Sequence, residues 1–161
     1  MPFPRSGRAL QGLSAATMSA LLLASAMKHF RDPRFYRHVV PDYLCLEGRD
    51  SGSEPDRRRP FAVMTREEWI AVSGLLELAA AAGILVPPAR RATATALTAM
   101  FAVFVAGHVD AIRRAYGPEG TPAQRKVHTL RLPLQAPLIL WAWSLRKPAP
   151  KLSGHAPGAW A

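Results

Sequence analysis

The stretch that most constrains this chain is residues 69–86, WIAVSGLLELAAAAGILV, eighteen residues that are apolar or small apart from one carboxylate, Glu77. A helix of that length is about what the hydrocarbon core of a bilayer requires. A carboxylate at the middle of such a helix costs about 2.5–3.5 kcal/mol, so Glu77 needs a partner or a purpose. Ser73, Gly74, Ala80 and Ala81 lie three and four residues to either side of it. Helical spacing puts them on the same face, and small residues let a second helix come close. That face is expected to look into a bundle.

The rest of the chain repeats the pattern. Hydrophobic residues make up 49 % of the 161 residues, and they are gathered into four blocks with the charges between them. This predicts an all-α, integral membrane four-helix bundle rather than a soluble globule. The helices are expected at about 10–29, 67–86, 91–113 and 127–146, after a basic segment at 1–9. Thr65 and Glu68 have the spacing of a capping box at the start of the second helix, and Pro87 and Pro88 stop it. The stretch at 45–60 is poor in apolar residues and predicts a mobile loop, and the Pro/Gly-rich tail at 148–161 predicts disorder. The last apolar run, 132–145, is too short to span alone and reaches spanning length only by including His128 and Arg131. Residues 10–27 also fit a signal peptide, with Ala24, Ser25 and Ala26 as a small-residue cleavage site.

The net charge of +10 raises the question of nucleic acid, but the Arg and Lys residues flank apolar blocks. That suits anchoring in a lipid bilayer and argues against nucleic acid. Cys45 is the single cysteine, so no dithiol mechanism fits within the chain. The first residues, the Arg90–Arg91 turn and the tail share one side of a four-span bundle and carry basic but no acidic residues. The long loop on the other side is also basic, so the charge rule is divided. With its charge lying partly in a distant, acid-rich part, termini in the cytoplasm are expected.

Antiparallel placement puts Glu77 and Gln135 each about 12 Å below the long-loop side. Arg131 lies one turn from Gln135, and His29 and His108 end their helices on the same side. His29, Glu77, His108, Arg131 and Gln135 are therefore the candidates for a polar intramembrane pocket. The opposing expectation is structural: Glu77 pairs with helix four, through Arg131, Gln135 or both, and an ion pair with Arg131 only clamps two helices. A small-solute or proton carrier is a further alternative, against which stand one intramembrane acid and no broken central helix. No metal is expected, because His29, His108, His128 and Glu77 lack the spacing of a ligand motif.

Three segments in order, HFRDPRFYRHVVP at 29–41, SGLLELAAAAGIL at 73–85 and RLPLQAPLILWAW at 131–143, resemble the DoxX-like family of small four-helix membrane proteins. The resemblance covers most of residues 12–147 and favours retention of the first helix. It implies an accessory subunit in membrane redox or stress metabolism of a bacterial plasma membrane, with a redox partner subunit and a quinone or small apolar molecule as ligand. His29, Glu77, Arg131 and Gln135 match the recurring polar positions. The end of the third block, VAGHVDAIRR, departs from the family pattern, so His108 and Asp110 inherit no role from it.

Overall fold

The computed structural model describes residues 5–46 and 62–147. It is all-helical, with α1 at Arg5–Arg31, α2 at Arg66–Leu85, α3 at Arg90–Ala115 and α4 at Pro122–Ser144. α1 packs along α2 and α3 along α4, and the two pairs meet mainly through α2 and α3. α1, α2 and α3 are long and apolar enough to cross a membrane.

α4 differs. It carries Pro133 and Pro137 inside the helix, and two of its polar residues turn inward. His128 and Gln135 are buried, while Leu130, Leu134 and Leu140 on its other side are exposed. In lipid this inverted arrangement is the favourable one, since polar groups must face protein. α4 begins at Pro122 rather than near 127, because Thr121 and Gln124 form a capping box with proline in the first turn. The capping box of Thr65 and Glu68 opens α2 as its sequence predicts. α1 starts at Arg5 and takes in part of the basic segment expected before it.

One half of the bundle is packed solid. Met18, Leu22, Ile84, Leu97, Phe101 and Leu145 fill it. Ala15, Ala81, Ala94 and Ala142, all buried, let the helices approach closely. The Ser19 hydroxyl donates to the Ala81 carbonyl at 2.8 Å, and the Trp141 indole N–H donates to Ser14 Oγ at 2.8 Å, tying α4 to α1.

The other half is crossed by a strap of chain, residues 32–46, with short 3-10 turns at Pro33–Tyr36 and Asp42–Leu44. Two arginines clasp it. Arg66 donates to the carbonyls of Arg37 and Val40 and to Asp42 Oδ1 at 2.6 Å. Arg114 donates to the same carboxylate oxygen at 2.8 Å and to the carbonyls of His38 and Val40. A Cβ on Gly107 would sit 2.5 Å from the Val39 carbonyl oxygen, so glycine is what lets the strap lie on α3. Cys45 and Leu46, the first residues of the stretch expected to be mobile, are held in place. Cys45 is buried, and the Leu46 N–H donates to the Met64 carbonyl at 3.0 Å. The remainder of that stretch and the tail at 148–161 lie outside the described residues.

Candidate functional site

Between the strap and the packed half lies a cavity of about 400 Å³, lined by His29, Glu77, His108, Arg131 and Gln135 among mainly apolar and aromatic side chains. The five residues come from all four helices. Size and lining are those of a small-molecule site.

His29 is set by glycine. A Cβ on Gly74 would stand 2.8 Å from His29 Cβ, so the bare backbone there brings the end of α1 onto α2. The His29 Nδ1 atom lies 3.0 Å from the Ile70 carbonyl oxygen. A carbonyl only accepts, so Nδ1 carries the hydrogen. Nε2 then faces Glu77 Oε1 at 3.6 Å, with both side chains buried. Tyr36 from the strap stacks on the imidazole, with ring centroids 3.6 Å apart. Its hydroxyl is 3.1 Å from Ser25 Oγ, and burial pushes the phenol pKa up, so it stays protonated.

The expected pairing of Glu77 with helix four is not what the structure contains. Among the described residues no ion pair joins Glu77 to Arg131, and the partner of Glu77 is His29. The Arg131 guanidinium lies over the Phe35 ring, 4.0 Å from its centroid. Depth matching along ideal helices placed Glu77 and Gln135 at one level, and both do line the cavity. It could not show that Arg131 has an aromatic face nearer at hand.

Gln135 pairs with His108. The His108 Nδ1–H donates to the Phe104 carbonyl at 2.8 Å within its own helix. Nε2 is then an acceptor, and the Gln135 amide nitrogen is turned to it at 3.4 Å. That choice fixes the amide and leaves Gln135 Oε1 buried without a partner, as is Glu77 Oε2. Asp110 takes no part in the cavity and holds Arg114 at 2.9 Å, behind the strap clasp. Sequence reasoning missed Tyr36 and Phe35 as site residues, although their alternation with Arg and His just after His29 was the available signal. Among the described residues no group of three His, Cys, Asp or Glu side chains is placed to hold a metal.

The fold and site thus define an all-helical protein with membrane-spanning helices and a cavity roofed by a loop. The chain belongs to the family described as Domain of unknown function (DUF8561), whose model matches residues 18–146. No curated protein and no solved structure matches it.

Proposed function

We propose that this is a ligand-binding membrane protein of the DoxX-like kind, whose cavity takes up one small, mainly apolar molecule from the bilayer. The observation that carries the reading is an apolar cavity of about 400 Å³ lined by two residues whose buried side-chain oxygens, Glu77 Oε2 and Gln135 Oε1, have no partner. A buried acceptor without a partner costs about 1–3 kcal/mol, and a helix clamp has no use for two of them beside a cavity. The resemblance of the three segments supports an accessory role beside a redox partner subunit in a bacterial plasma membrane, and the acid-free basic residues at the terminal end support termini in the cytoplasm. It also names a quinone as one candidate occupant.

A structural reading is favoured by one observation, the close seating of His29 on Gly74 and Ile70, which pins α1 to α2 whether or not anything binds. The two readings part in an experiment. Small molecules are extracted from protein purified in mild detergent and identified by mass spectrometry, for the natural chain and for Ser73→Phe and Leu138→Trp, which add bulk at two cavity-lining positions. A stoichiometric molecule lost from either variant, with helical content and monodispersity unchanged, supports ligand binding. An identical extract from all three proteins overturns it.

A further inference from the structure

Resting on that reading, we infer that the cavity selects a molecule whose polar end donates hydrogen bonds, a hydroxyl-bearing aromatic such as a phenol, over one with a carbonyl or ether there. The inference comes from asking where each donor already points. The His29 Nδ1–H and the Ser73 hydroxyl converge on the Ile70 carbonyl. The His108 Nδ1–H is on the Phe104 carbonyl, and the Gln135 amide nitrogen faces His108. The Tyr36 hydroxyl is with Ser25, and the Trp69 indole N–H is on the Leu44 carbonyl at 2.8 Å. Glu77 turns Oε1 toward His29 Nε2 at 3.6 Å, and its Oε2 has no partner. The two buried atoms at this polar end without any partner are both acceptors, Glu77 Oε2 and Gln135 Oε1, beside the second Gln135 amide N–H, whose nitrogen already serves His108. Arg131 keeps unengaged donors, but it is only half-buried and rests on the strap residue Phe35.

A quinone therefore does not fit this end well. Its carbonyl would oppose two oxygens with lone pairs, and two acceptors brought together repel. A hydroxyl in the same place gives its hydrogen to one oxygen and relieves the cost of leaving it bare. The walls decide the remainder of the molecule. Phe35, Tyr36, Trp69, Phe101 and Phe104 line the cavity, and aromatic rings pack well edge-on or offset against a ring.

The test uses two probes of nearly the same size, β-naphthol and its methyl ether, on the full chain in one detergent. The readout is ligand-induced thermal stabilisation, with the occluded Leu138→Trp variant subtracting detergent partitioning. β-Naphthol should bind at least ~10-fold more tightly than the ether, the size of effect expected when a buried acceptor goes unpaired. Glu77→Leu combined with Gln135→Leu removes both acceptors and should bring the two probes within ~3-fold of each other. Equal binding of the probes to the natural chain overturns the inference while leaving the cavity as a ligand site. Absence of stabilisation by either probe, alike in natural and occluded protein, overturns the ligand reading itself and this inference with it.

Discussion

Glu77 is where the chain sets its sharpest physical problem, and the solution is His29, a pocket candidate in the sequence but not the partner the sequence predicts for Glu77. What is legible in the sequence is the problem: a carboxylate within a membrane-length helix, on a face of small residues, must look inward. Its partner is not legible, because His29 reaches it through the tertiary accident that Gly74 has no side chain. This can be measured with two double-mutant cycles on thermal stability in one detergent. His29→Ala with Glu77→Gln should show coupling of about 1–3 kcal/mol, because the partners are in contact and buried. Arg131→Leu with Glu77→Gln should be additive within about 0.5 kcal/mol. Coupling in the second cycle and none in the first would restore the clamp between α2 and α4.

At the scale of elements, the helices could be read from the chain and the strap could not. Apolar blocks, proline stops and a capping box mark helices locally. The strap depends on Asp42 meeting Arg66 and Arg114, and the second of these lies 72 residues away. No local pattern encodes that meeting. The Arg66 hydrogen bond, with Arg114 beside it, holds the Asp42 carboxyl below the usual carboxylate range. A group depressed in the folded state adds stability that is present above its unfolded value, about 4. That stability is lost as pH falls through the lower folded value. Acidification through this window should therefore loosen the strap, and Asp42→Asn should loosen it at neutral pH. Asp42 is 58 % exposed, so solvent screening keeps the effect to about 1 kcal/mol. Amide exchange over residues 37–46 should accelerate ~5-fold in the variant. Exchange unchanged by both the variant and acid would mean that backbone carbonyls alone hold the clasp.

For the whole molecule the open question is whether α4 crosses with the other three helices. By length and apolarity α1, α2 and α3 qualify, and α4 is short of apolar residues in its first half. Hydropathy, however, averages over faces, and the faces of α4 differ. His128 and Gln135 are buried against protein, whereas Leu130, Leu134, Leu140 and Trp143 are exposed. A helix that hides its polar side in a bundle needs only its outer face to suit lipid. Its far end is tied to the start of α1 by Trp141 on Ser14 and by Gln11 on the Lys147 carbonyl. Those ties place Lys147 at the same end as the α2–α3 turn, and Glu119 at the strap end. Single cysteines at Pro88, Glu119 and Lys147, in a Cys45→Ala background, report this directly in sealed vesicles with a maleimide that does not cross membranes. Pro88→Cys and Lys147→Cys should label from one face and Glu119→Cys from the other. Under the proposed orientation, with both termini in the cytoplasm, the first face, near Arg90, Arg91 and Arg146, is the cytoplasmic one. If Lys147→Cys labels with Glu119→Cys instead, α4 lies along the surface. The polar wall it gives the cavity would then be a membrane-surface feature rather than an intramembrane one.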